Sequence, residues 1–301
     1  MRTKSISLAD KRKRDTGKAA LVFLLPIALL MVIYIFYPIA DTFFTSLYKW
    51  NGISPEKTFI GLKNWLKLAR DTSFWIAFKN NLVIMVLSIC IQIPIGLALA
   101  TFIDFGGKKM TIFKVLWFIP LLMSSVAIGF LFTYALATNG GILSAISQLL
   151  GGGNIDLLGN PKTALYTVVG VIAWQFIPFY MVYCMAAYTN ISTDVYEAAI
   201  IDGATRGQYF KKIALPLLAP SLKSAAILSM VGSLKYFDLV YVMTGGGPGT
   251  STELMATYMY KQSFVNFNMG YGSAVAGGMF ILISLVSLVT MRILNGKKEA
   301  E

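Results

Sequence analysis

Proton chemistry has few possible carriers in this sequence. There is no histidine among its 301 residues, which removes the commonest general base and the commonest metal ligand. The two cysteines, Cys90 and Cys184, lie inside apolar runs and form no CxxC pair, so they read as small packing residues. What remains are uncharged polar groups set among aromatic and aliphatic ones, and one acidic segment. The run Trp174-Gln175-Phe176-Ile177-Pro178-Phe179-Tyr180 combines an amide, aromatic rings and a helix-bending proline. Farther on, Ser229, Ser233 and Tyr236 are spaced four and then three residues apart, which puts them on one helix face. Such groups offer hydrogen bonds and ring faces to a polar molecule, or they bond one helix to another.

The acidic segment reads Ser192-Thr193-Asp194-Val195-Tyr196-Glu197-Ala198-Ala199-Ile200-Ile201-Asp202-Gly203-Ala204. Asp194 three residues before Glu197 predicts a capping box, and Gly203 lets the chain turn at the end of a short helix. A second short helix, Thr205–Ala214, leads into Pro216. Ala198, Ala199, Gly203 and Ala204 allow another backbone to approach closely, with Glu197 and Asp202 bracketing them by negative charge. Docking in a groove of a partner and lying on a bilayer surface are both compatible with this pattern.

The elements that must position these groups follow from composition. Apolar residues make up 56% of the chain and charged residues 13%, against about a quarter charged in soluble domains. A hydrocarbon core of about 30 Å takes roughly 20 apolar residues in a helix. Six runs meet that length: Ala19–Ala40, one within Asn80–Ile103, and roughly Val115–Ala137, Thr163–Tyr188, Ile213–Tyr236 and Tyr271–Met291. The first is 22 residues long without a charge, longer than the 7–15 apolar residues of a signal peptide, and reads as a retained span. The expected fold is therefore an all-α integral membrane protein with six transmembrane helices. Residues 1–18 form a basic cytoplasmic arm, 19–294 the six-span domain with a cytoplasmic loop at about 189–213, and 295–301 a cytoplasmic tail.

With both termini in the cytoplasm, 16 Lys and Arg residues fall inside and 9 outside, and Lys223 lies within the fifth span. Snorkelling toward the inner boundary marked by Lys211 and Lys212 accounts for Lys223, and a place on a substrate path is the alternative. The net charge of +12 is spread between spans, which reads as topology determination and excludes a nucleic-acid face. Asp and Glu are confined to loops and span ends, which disfavours an ion-coupled secondary transporter or channel. Without histidine or an intramembrane carboxylate pair, a membrane-embedded enzyme is disfavoured too. Gly245-Gly246-Gly247-Pro248-Gly249 has no following Lys-Ser/Thr, and Gly106-Gly107-Lys108-Lys109 places Lys where a hydroxyl must hold Mg²⁺. The chain thus lacks a P-loop, and the glycine run reads as an external turn.

Glu197-Ala198-Ala199, three residues, Gly203, nine residues, then Ile213-x-Leu215-Pro216 resembles the EAA motif of binding-protein-dependent ABC importer permeases at every fixed position. Phe237-Asp238-Leu239-Val240-Tyr241-Val242-Met243-Thr244 with the glycine run and Ser251-Thr252-Glu253 is similar to sugar permeases, among them the maltose-importer F subunit and glycerol-3-phosphate and oligosaccharide relatives. The resemblance spans essentially the whole chain, without that subunit's extra amino-terminal spans and large external insertion. It implies the type I ABC importer permease fold in a bacterial or archaeal cytoplasmic membrane. The partners it implies are a second homologous permease, two ATP-binding subunits and an extracytoplasmic sugar-binding protein. The chain itself would hold no cofactor, ATP and Mg²⁺ belonging to the ATPase.

By this resemblance Glu197 pairs with a basic residue of the ATPase. Ala198, Ala199, Asp202, Gly203 and Ala204 belong to the coupling segment, and Ile213, Leu215 and Pro216 fix the second helix against the fifth span. Counted from Glu197 without a gap, Gln175, Phe176, Phe179, Ser229, Gly232 and Ser233 match sugar-contact positions of the maltose subunit, mostly with different residue types. Tyr236 joins them on the serine face. The implied cargo is a sugar, with an oligosaccharide expected.

Overall fold

The computed structural model describes residues 22–106 and 110–295; the basic arm and the tail beyond Asn295 lie outside them. In lipid every backbone polar group must be satisfied within the chain, which selects helices for the apolar runs. Helix α1 spans Val22–Thr45. A two-stranded ribbon follows, β1 (Tyr48–Lys49) against β2 (Thr58–Phe59), then α2 (Lys63–Ala69) and the long α3 (Thr72–Gly106). Next come α4 (Thr111–Leu122), α5 (Ser125–Ala135), α6 (Ile142–Leu149) and α7 (Ala164–Tyr188). Helix α8 covers Thr193–Ile201 and α9 Arg206–Leu234. The chain ends with α10 (Asp238–Thr244), α11 (Met255–Tyr260, extended by a wide turn to Val265) and α12 (Met269–Asn295).

Five of these helices (α1, α3, α7, α9 and α12) are long and apolar enough to cross a membrane, and the α4–α5 pair makes up to six spans if counted as one. That pair corrects the straight third span expected over Val115–Ala137: its halves meet at 94°. Pro120 deprives the ladder of a donor. Met123 and Ser124 are extended (ψ 146° and 136°), and the Ser124 hydroxyl accepts from the Val126 amide to start the new helix. Hydropathy runs through the bend without a break, so the apolar pattern alone could not locate it.

Helix α3 lies along α7 in the most extensive pairing of the bundle, with α9 against both. Gly96 of α3 meets the backbone of Tyr180 and Met181, the close approach that small residues permit between membrane helices. Helix α1 packs on α12 and leaves residues 22–37 exposed. Two wide π turns, Val32–Phe36 and Phe210–Ala214, each sit just before a proline, Pro38 and Pro216. The missing proline N–H leaves a carbonyl one turn back without its usual donor, and the widened turn rearranges the ladder around it.

We call the end of the bundle carrying residues 189–205 the lower end. At the upper end the segment 237–268 folds back over the bundle. Asn81 of α3, fully buried, donates to the carbonyls of Ser233 and Leu234 at 3.3 Å each and accepts from the Met255 amide at 2.9 Å. Asn80 donates to Thr250, Ser251 and Glu253 carbonyls. The Glu253 carboxylate, itself buried, pairs with Lys261. The glycine run forms a turn, with Gly245 and Gly246 left-handed at φ 57° and 91°. Asp71 accepts from the Ser73 and Phe74 amides at the start of α3, and the Tyr258 and Tyr271 hydroxyls donate to its other oxygen.

Candidate functional site: an apolar cavity and a helix at the lower end

A cavity of about 270 Å³ opens between α7 and α9. From α7 it takes Ile172, Phe176, Phe179 and Tyr180, positions that recur at helical spacing on one face. From α9 come Leu228, Ser229, Gly232 and Ser233, and Tyr236 closes the row just beyond the helix end at Leu234. The sequence carries the fifth span to Tyr236; Lys235 instead ends the helix, and Tyr236 still faces the cavity. Helix α3 contributes Gln92. Among the described residues no charged side chain lines this space.

Six of the seven residues singled out from the sequence thus meet here: Phe176, Phe179, Ser229, Gly232, Ser233 and Tyr236. Gln175 does not. One residue earlier than Phe176, it is rotated about 100° around the helix and lies buried at 3% exposure. Its amide nitrogen donates to the Ser125 hydroxyl at 3.3 Å, and its oxygen accepts from the Tyr236 hydroxyl at 3.3 Å. Gln175 therefore holds Tyr236 in place, edge-on to Phe176 with ring centroids 5.9 Å apart. Sequence reasoning missed Gln92, Ile172 and Leu228, and it placed Tyr180 in the aromatic run without singling it out. For Gln92 a signal existed, a lone amide inside the apolar run 82–100.

At the lower end, α8 begins differently from the expected capping box. The cap is Ser192, whose hydroxyl accepts from the Asp194 amide at 3.2 Å. Asp194 falls in the first turn, where its charge suits the helix dipole, and Glu197 stands mid-helix. Glu197, Ala198, Asp202 and Gly203 are exposed. Gly203 carries φ +80° with open space where a Cβ would lie, so it is backbone conformation that requires glycine here. Ala204, half-buried, closes the turn by donating to the Ala199 carbonyl at 2.9 Å. Ala199 faces inward at 5% exposure; its small side chain serves contact with this chain's own bundle and is covered from outside.

That inward contact is a single apolar cluster. It joins Leu97 and Ala100 of α3, Cys184, Ala187 and Tyr188 of α7, Ala199 of α8, and Tyr209, Ala214 and Leu218 of α9. Ile213 and Leu215 pack against its edge, while Pro216 is exposed. Tyr196 stands edge-on to Tyr209 at 4.9 Å, and Thr101 shares a 2.7 Å hydrogen bond with Tyr188. The second short helix expected at Thr205–Ala214 is the first part of α9, opened by a capping box between Thr205 and Gln208. Helix α8 consequently joins, through Ala199 and Tyr196, a cluster built by the lower parts of α3, α7 and α9, the three helices that line the cavity. Its outer face pairs acidic groups with exposed aliphatic ones, Ile201 being 85% exposed.

Among the described residues no group of three or more His, Cys, Asp and Glu is placed to hold a metal ion. Lys223 stands in α9, half-buried and outside the cavity lining. Cys184 is buried in the lower cluster and Cys90 is exposed.

Comparison with known proteins places this architecture. Residues 92–299 match the family described as binding-protein-dependent transport system inner membrane component. The chain is 34% identical to the probable ABC transporter permease protein YurN of Bacillus subtilis, over 92% of this chain and 96% of that one. It is 30% identical to the trehalose/maltose transport system permease protein MalF of Thermococcus litoralis, covering 95% and 97%. The fold superposes with a TM-score of 0.80 on a chain of a bacterial ABC transporter involved in alginate import, at 22% identity and covering 97% and 99%. On the family match and these relatives, the chain belongs to the inner-membrane permease components of binding-protein-dependent transport systems.

Proposed function

We propose that this chain is one permease subunit of an ATP-driven sugar importer, and that the cavity between α7 and α9 passes an uncharged sugar across the membrane. It is a transporter component rather than an enzyme. The reading rests on one observation: the helices that line the cavity are the same ones with which α8 shares the apolar cluster at the lower end. A load applied to α8 reaches the cavity walls through packed side chains, which transmit strain because interiors are close-packed.

In this account the lower end faces the cytoplasm, with both termini, and α8 docks in an ATP-binding subunit through Glu197, Ala198, Asp202 and the exposed Ile201. ATP and Mg²⁺ are held by two such subunits. ATP shifts the bundle between its two access states only because it binds them with different affinity. A second, homologous permease completes the path, and an extracytoplasmic binding protein delivers the sugar at the upper end. A relative named for trehalose and maltose transport supports a sugar as cargo. A lining of aromatic rings, serines and an amide suits neutral sugar hydroxyls and ring faces, whereas a carboxylate or phosphate would enter unpaired at a large desolvation cost. At about 270 Å³ the cavity lies just below the roughly 300–1,000 Å³ of ordinary small-molecule sites, room on the order of one sugar ring at a time for an oligosaccharide threaded through.

The test is uptake by proteoliposomes holding both permeases and the ATPase, supplied with the binding protein. Sugar accumulation that requires ATP and the binding protein is expected. Equal uptake after ATP depletion would instead identify an ATP-independent transporter.

A further inference from the structure

The cavity contains one group that neither the α7 nor the α9 pattern supplies. Gln92 reaches it from α3 and is 3% exposed. Its amide oxygen accepts from the Ser229 hydroxyl, at a long 3.5 Å. In that bond the hydroxyl gives its proton to Gln92, and its oxygen, with the Tyr180 hydroxyl beside it, has a lone pair left to accept. With the oxygen turned to Ser229, the Gln92 amide nitrogen has no hydrogen-bond partner among the described residues, yet it is absent from the enclosed unpartnered atoms. It is therefore not fully enclosed, on a residue that lines the cavity, and is a donor still free to bond. Beside it, on the same face of α3 one turn away, Ser88 is fully buried and its hydroxyl is without a partner. A buried hydroxyl left unbonded costs about 1–3 kcal/mol, so this face of α3 carries more hydrogen-bonding capacity than the protein itself uses.

We propose that Gln92 is a specificity-determining residue for the transported sugar: its amide donates to a sugar hydroxyl, which in turn donates to Ser229. A hydroxyl is the group that both accepts and donates at one oxygen, and it completes the chain Ser229 to Gln92 to sugar to Ser229 with no group left over. An ether oxygen satisfies only the Gln92 donor. A carboxylate has no proton to donate to Ser229 and places a charge in an uncharged cavity. The assignment rests on the sugar-importer reading above and adds a discriminating contact from a third helix. Site discrimination of this kind is strong because removing the substrate's hydroxyl leaves protein groups unpaired.

The experiment uses the complete importer in proteoliposomes with saturating loaded binding protein, and labelled maltose, trehalose and their monodeoxy analogues as probes. Wild type is expected to lose about fivefold in kcat/KM for one monodeoxy analogue, the worth of one hydrogen bond. Gln92→Leu and the better size-matched Gln92→Met lose about fivefold for the parent sugar, and lose nothing further for that one analogue. Parent uptake unchanged in both variants, or an equal fall for every analogue, overturns the assignment, the second outcome marking a structural role only. Failure of wild type to take up either parent sugar counts against the sugar reading itself, and the Gln92 assignment falls with it.

Discussion

A methyl group added at Gly96 tests whether the α3–α7 contact sets the shape of the cavity. A Cβ there would lie 2.8 Å from Tyr180 Cβ and 2.9 Å from the Met181 nitrogen and the Tyr180 carbonyl carbon, where ordinary contact begins at 3.4 Å. Two of these three neighbours are backbone, so no side-chain rotation relieves the clash. The two helices must separate by about 0.6 Å, the shortfall between 2.8 and 3.4 Å. Overpacking of this kind costs about 1–3 kcal/mol. At about 2–4 °C per kcal/mol for a chain of this size, Gly96→Ala should lower the thermal midpoint in detergent by roughly 2–12 °C. It should also disturb uptake, because Tyr180 and Phe179 line the cavity on the helix being displaced. At Gly170 of the same α7, an added methyl would meet no heavy atom within 4 Å, so Gly170→Ala supplies the control and should leave the midpoint unchanged or raise it. Equal midpoints for the two alanine variants would refute the claim that α3 and α7 are in backbone contact.

Gly232, also without a neighbour within 4 Å of an added Cβ, lines the cavity; Gly232→Ala should keep the wild-type midpoint within about 2 °C but slow sugar uptake, and unchanged uptake would remove this wall from the path. Asn81→Leu leaves the Leu234 carbonyl and the Met255 amide unpaired, the Ser233 carbonyl keeping the Tyr236 amide, at about 2 kcal/mol or more, and hydrogen exchange at Met255 should accelerate; protection equal to wild type would contradict the clamp. Burial raises the Asp71 carboxyl, but hydrogen bonds from Tyr258, Tyr271 and the Phe74 and Ser73 amides outweigh it and hold the group below its ordinary value. Because the folded value is depressed, its stabilisation is present above the unfolded pKa of about 3.9 and is lost as pH falls through the folded value. The midpoint gap between wild type and Asp71→Asn should therefore be constant above about pH 5 and shrink below about pH 4; a gap independent of pH would rule the carboxylate out.

The long spans were legible because their signal is additive: some twenty apolar residues outweigh any local irregularity, and α7 and α12 begin and end within a few residues of the sequence expectation. The α4–α5 bend was not legible, since Met123 and Ser124 change the backbone direction without changing hydropathy. Cap positions failed for a similar reason. Ser192 and Asp194 both suit an N-terminus, and only the backbone angles at Ser192 decide between them. Within the cavity, the face carrying Ser229, Ser233 and Tyr236 followed from spacing along one helix. Gln175 and Gln92 could not be sorted that way. Which of two buried amides meets a cavity and which bonds Tyr236 depends on the rotation of α3 and α7 against neighbours distant in the chain. Ala199 illustrates the same limit, a small residue whose use is decided by the bundle beneath it.

The central claim, that α8 carries a partner's ATP-driven motion into the bundle, is tested most directly by uptake per ATP hydrolysed in proteoliposomes bearing Glu197→Lys. Glu197 is exposed and makes no side-chain hydrogen bond or ion pair among the described residues, so the variant should assemble in the membrane with the wild-type thermal midpoint. Reversing one member of an interfacial charge pair should then cut uptake about tenfold or more and depress the ratio of sugar moved to ATP hydrolysed. Wild-type uptake at the wild-type ratio would contradict the account.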